Sequence, residues 1–207
     1  MSSFLIPGNT LYQPDPPPLQ IILENILPSV STKAHFSKGL QSTSPLVQHC
    51  TALALARCLT KLSSVFRAFQ DVESALEEDK AGQWTRRHRE VEREARRRVP
   101  DFQVAVAFSQ LKVDGGEVKL ALLGESAQRL LWLYHLCFPQ MVAEARFDVG
   151  KSLQGLVDAS QDAPRQSGGV FGLHSLKQLH VLRLLQESDQ FSWSGKAGRW
   201  SRLYFLD

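Results

Sequence analysis

Ser44 and Pro45 stand ahead of a long apolar run that steps by threes and fours, and no other feature narrows the possible folds as far. Serine is a good helix cap, and proline suits the first helical position, where no backbone N–H is needed. Behind them Val47, Cys50, Ala54, Cys58, Leu62, Val65 and Phe69 mark one helical stripe. Leu46, Leu53, Leu55, Leu59 and Phe66 widen it into a broad face. A face that wide is buried by several neighbouring helices, not by one partner. Continued to Glu78, such a helix is roughly 50 Å long.

The same period recurs along the chain. Leu19, Ile22, Leu23 and Ile26 predict a short helix closed by Pro28, and a weaker helix spans about residues 30–40. Trp84, His88, Val91, Ala95 and Val99 form a narrow seam on an otherwise polar helix between Gly82 and Pro100. Phe102 to Leu111 reads as helix, although Val104 to Phe108 also fits a strand. Asp114-Gly115-Gly116 is a turn. Glu117 to Phe138 is apolar nearly all round, which predicts a central helix. Pro139 kinks or ends it, and another helix starts within Met141 to Phe147. Residues 158–169 read as a polar loop, and leucines at 173, 176, 179, 182 and 185 mark a last helix.

Strand alternation bounded by hairpin turns is nearly absent, so the fold class expected is all-α. Helices that need neighbours on two sides suit a bundle or an irregular helical repeat, an α-solenoid of HEAT or armadillo type, although no strict repeat period is present. The organisation expected is a flexible proline-rich N-terminus over 1–18, a helical-repeat domain over 19–187 and an aromatic, basic tail over 188–207. With 207 residues, 43% of them hydrophobic, the chain has material for one ordinary packed domain. No apolar run approaches the roughly 18 residues of a membrane span. The N-terminus lacks the basic region and apolar run of a secretory signal. Three cysteines with no C-x-x-C read as small apolar residues of a reducing compartment.

Catalytic motifs fail on specific residues. Gly124-Glu125-Ser126-Ala127-Gln128 begins like a nucleophile elbow but has Gln where the second Gly must stand, inside a helical run. Gly195-Lys196 lacks both the first glycine and the hydroxyl residue of a phosphate loop. No histidine has a partner at zinc-ligand spacing, and His135 reads as a satisfied core residue. Glu73, Glu77, Glu78 and Asp79 read as the solvated end of the long helix. No catalytic residue, metal site, cofactor or small-molecule substrate is expected.

Charge is concentrated in one place. Residues 86–98 hold seven Arg and three Glu in a chain whose net charge is +3, so everything else sums to slightly negative. Arg86, Arg87, Arg89, Arg93, Arg96, Arg97 and Arg98 are candidates for contact with RNA or an acidic partner. The alternative is a solvated helix whose charges pair at Arg86/Glu90, Glu92/Arg96 and Glu94/Arg98. In the tail, Lys196 and Arg199 lie among Trp193, Trp200 and Arg202, a mixture of cations and aromatics that also suits RNA.

Several stretches, in order, resemble one known family. They are Ser44-Pro45-Leu46-Val47-Gln48-His49; Val99-Pro100-Asp101-Phe102; Ala127 to Tyr134 with Ala145 to Lys151; and Ser188-Asp189-Gln190-Phe191-Ser192-Trp193. Over roughly residues 35–205 the chain resembles the N-terminal helical region of the nucleolar pre-ribosomal-associated protein family, scaffolds of large (60S) subunit biogenesis. The resemblance implies an α-solenoid, a nucleolar location, and partners that include pre-ribosomal RNA and other assembly factors, an RNA helicase among them. It implies no catalytic residues. Members of that family are very long, so the resemblance also implies that these are the first helical pairs of a larger protein.

Overall fold

Eight helices, and no strand beyond a single bridge between Leu5 and Tyr12, make up the described residues. The structure is a computed structural model and describes residues 4–6, 11–111, 116–145, 147–150 and 169–188. The helices are α1 (Leu19–Ile26), α2 (Lys33–Leu40), α3 (Pro45–Ala75), α4 (Gln83–Arg98), α5 (Phe102–Ser109), α6 (Glu117–Cys137), α7 (Pro139–Glu144) and α8 (Gly169–Glu187). The chain is therefore all-α over these residues.

Helix α3 starts as its sequence dictates, with Ser44 at the cap position and Pro45 in the first turn, although the serine hydroxyl makes no capping bond. The anticipated face is buried along the second half of the helix but not along the first. Leu55, Leu59, Leu62, Phe69 and Val72 are sealed, whereas Leu46 is 70% exposed and Val47, Cys50 and Ala54 also face solvent. A helix apolar on most sides gives its period but not its phase, which the positions of its neighbours decide. Cys50 is correspondingly an exposed thiol, not a buried one.

Helix α4 folds back on α3. Trp84 packs edge-on against Phe69 with centroids 5.8 Å apart, and His88 stacks on Phe69 at 5.1 Å. The anticipated seam is buried at Trp84, Val91, Ala95 and Val99. The turn between the helices is held by Glu78, whose carboxylate accepts the backbone N–H groups of Trp84 (3.0 Å) and Thr85 (3.1 Å). Glu78 thus caps α4 instead of being a solvated end residue. Gly82 lies so close to this carboxylate that a Cβ there would overlap it.

Helix α6 is central, packed against α3, α5 and α8. Contacts that pair His49 with Ser126 and Leu59 with Cys137 run in one direction, so α3 and α6 are parallel. Lys177 beside Gly124 and Arg183 over Trp132 give the same sense for α8 on α6. The stretch that also fitted a strand is α5, which buries Phe102, Ala105 and Phe108 at a spacing of three.

The proline-rich segment read as flexible is docked where it is described. Phe4 is buried against Phe69 and Trp84, and the indole N–H of Trp84 donates to the carbonyls of Gln13 and Pro14, both at 3.2 Å. The anticipated loop at 158–169 lies outside the described residues apart from Gly169, where α8 begins.

Candidate functional site

The seven arginines of α4 separate into two sets by their position around the helix. Arg87, Arg96 and Arg98 flank the buried seam and are anchored to other parts of the chain. Arg98 donates to the Leu27 carbonyl (2.9 Å) and pairs with Glu24 (3.4 Å), fastening α4 to α1. Arg96 pairs with Glu144 of α7 at 2.7 Å. Arg87 pairs with Glu90 at 2.9 Å and also bonds the Pro17 carbonyl.

Arg86, Arg89, Arg93 and Arg97 occupy the opposite side and are all exposed. Spaced by three, four and four residues, they form one row about 16 Å long at 1.5 Å per residue. Arg93 and Arg97 share the single carboxylate of Glu94 at 3.7 and 3.3 Å. None of the three i,i+4 pairs anticipated from the sequence is an ion pair; Arg98 and Arg96 reach instead to carboxylates on other helices, where packing brings them closer. The solvated, self-paired helix therefore describes only part of the segment. Lys196 and Arg199, with the rest of the aromatic tail, lie outside the described residues.

A second polar cluster sits where α3, α6 and α8 meet. Glu125, only 2% exposed, receives Nε2–H of His180 at 3.1 Å and the guanidinium of Arg129. Burial alone would raise the Glu125 carboxyl, but His180 and Arg129 outweigh it and hold it below the usual carboxylate range. His180 stacks on Trp132 with centroids 5.6 Å apart, and its Nδ1 is buried without a partner. Ser126 is the fragment of nucleophile elbow noted in the sequence. Its hydroxyl lies within hydrogen-bonding distance of the Leu122 carbonyl (2.9 Å), His49 Nδ1 (3.0 Å) and the Glu125 carboxylate (3.4 Å).

His135 is the core histidine anticipated. Nδ1–H donates to the Leu131 carbonyl at 2.8 Å, and burial lowers its pKa, so the ring is kept neutral. Among the described residues no group of three His, Cys, Asp or Glu side chains could hold a metal ion, and no helix is long and apolar enough to cross a membrane.

Two open cavities lie along the seam of α3 and α6. One, of about 460 Å³, is lined by Leu46, His49, Val118 and Leu122 among others. The other, of about 470 Å³, is lined by Leu53, Ala54, Ala56, Arg57, Thr60 and Arg129. Their lining is too dispersed along the helices for sequence spacing to single out. No protein family, curated protein or solved structure matches the chain.

Proposed function

We propose that this chain is a non-catalytic scaffold of early nucleolar large-subunit assembly, which supports pre-rRNA maturation by holding assembly factors and pre-rRNA together. The observation that carries the scaffold reading is the side-by-side, parallel set α3, α6 and α8, with α4, α5 and α7 as the segments between them. Parallel helices joined through intervening ones are the arrangement of stacked helical pairs, and such stacks work by presenting long binding surfaces. On this reading the fold is a segment of HEAT or armadillo-like solenoid. The ribosomal assignment rests on the ordered resemblance of Ser44–His49, Val99–Phe102, Ala127–Tyr134 with Ala145–Lys151, and Ser188–Trp193 to the assembly-factor family. The tagged chain is expected to co-sediment with early large-subunit precursors in a gradient; recovery solely from ribosome-free fractions would overturn the assignment.

A second reading, a stand-alone RNA-binding module, is favoured by the row Arg86, Arg89, Arg93 and Arg97. Four exposed cations with one shared carboxylate are available to phosphates, because exposed ion pairs contribute only about 0–1 kcal/mol and are readily exchanged. Four phosphate contacts on a single strand give a slope of log affinity against log salt of about −3. Substituting all four with Gln is expected to flatten that slope toward zero without loss of helicity. A slope unchanged in the variant removes the row from any RNA contact.

A further inference from the structure

The seam of α3 and α6 carries a groove whose two ends differ in chemistry, and nothing in the preceding assignment uses it. On α3 the groove is bordered by Leu46, Leu53 and Arg57, at i, i+7 and i+11 along one strip. On α6 it is bordered by Val118, Leu122 and Arg129, at i, i+4 and i+11. Because the helices are parallel, the apolar ends coincide and so do the arginines, about 16 Å apart along the axes.

The apolar end is open: Leu46 is 70% exposed and Val118 is 54% exposed. Glu117 and Lys119 at its rim balance each other in charge. The other end holds two guanidinium groups and no lining carboxylate. Arg57 is exposed and has no partner among the described residues, and Arg129 commits two of its nitrogens to buried Glu125 while its third makes no bond to the described residues. Glu125 already answers the charge of Arg129, so the unanswered positive charge at this end is that of Arg57, which suits an anion, while the leucines beside it suit an apolar body.

We propose that this groove docks an acidic, leucine-bearing amphipathic helix of a partner protein. Its aliphatic anchors would lie over Leu46, Val118 and Leu122, and a carboxylate about eleven residues away would lie between Arg57 and Arg129. A helix laid between two parallel helices is a common mode of peptide recognition, read as anchors at helical spacing. Bidentate arginine suits a carboxylate. Nucleic acid fits less well, since no Phe, Tyr or Trp side chain lines either cavity, and His49 is the single ring there that could stack a base. The inference rests on the scaffold reading and names the surface and partner chemistry of that scaffold.

The test is selection of a phage-displayed random peptide library on the full chain, followed by affinity measurement of the enriched peptides. Enriched sequences are expected to combine leucine-type residues at helical spacing with Asp or Glu. Arg57→Glu should weaken them at least tenfold, and Leu46→Asp should weaken them independently. Both positions are exposed, and circular dichroism checks that each variant keeps its helix content. Absence of enrichment, basic or neutral consensus sequences, or affinities indifferent to both substitutions would overturn the proposal. So would displacement of the peptides by an oligouridylate at equal concentration, which would assign the groove to nucleic acid. Gradient co-sedimentation does not read the groove, so failure of the peptide test and failure of the ribosomal assignment are separate results.

Discussion

Glu78 ties the chemistry of one side chain to the angle between two helices. Its carboxylate supplies acceptors for the first free N–H groups of α4, which have no partner within the helix. Glu78→Ala should destabilise the chain by about 1 kcal/mol, the ordinary worth of a helix cap, read as a lower midpoint in urea unfolding. Trp84 lies beneath it at zero exposure with its indole N–H bonded to the N-terminal segment. Trp84→Ala should cost about 3–5 kcal/mol, the range for emptying an aromatic core site. The thiols offer a separate measure of burial. Cys137 is buried, bonds the Leu59 carbonyl, and is pushed up to about 12 by loss of solvent. Iodoacetamide on the native chain, followed by mass spectrometry, should therefore label Cys50 quickly and Cys137 only on unfolding. The burial of Trp84 was legible in the sequence because an apolar residue on a polar helix has one place to go. The cap at Glu78 and the exposure of Cys50 were not, because each depends on how α3 and α4 meet.

At the scale of single elements, helix count and approximate limits were legible, and helix phase was so only where polar residues are abundant. The α4 seam was read correctly because arginine and glutamate leave a single apolar line. On α3 and α6 the abundance of leucine and alanine admits several faces, and only the neighbours choose between them. The division of the α4 arginines into anchoring and exposed sets was hidden for a related reason. It follows from where Glu24, Glu144 and Pro17 arrive in space, tens of residues away in sequence. The docking of α8 on α6 should be acid-sensitive, because the Glu125 carboxyl is held below its ordinary value of 4.5 in the folded chain. A depressed folded pKa contributes stability that is present above the unfolded value and lost as pH falls through the folded one. His135, whose pKa is lowered by burial, acts in the same direction below its ordinary 6.5, since folding keeps it neutral. Stability followed by denaturant titration should fall from about pH 6.5 downward. His135→Phe should remove part of the upper segment of that fall, at whatever cost its lost hydrogen bond imposes.

For the whole molecule the question is whether the helices form one cooperative core or a chain of neighbours. Helix α6 faces α3 on one side and α8 on another, and the contacts of α8 are made chiefly with α6. In a linear array, stability is a sum of nearest-neighbour terms and a terminal element opens alone. In a single core, every element reports the same opening energy. Leu184 is buried in α8 with zero exposure, so Leu184→Ala should cost about 2–5 kcal/mol at that interface. The array predicts that native-state hydrogen exchange in this variant accelerates across α8 and leaves α3 and α4 unchanged. Leu130→Ala, in the middle of α6, should by contrast accelerate exchange in α3, α5 and α8 together, because α6 packs against all three. Equal acceleration of every helix by both substitutions would establish one cooperative domain and withdraw the physical basis for a solenoid. The same pair of variants bears on function, because a helix that opens independently is free to re-pack against a partner, whereas one locked into a single core is not.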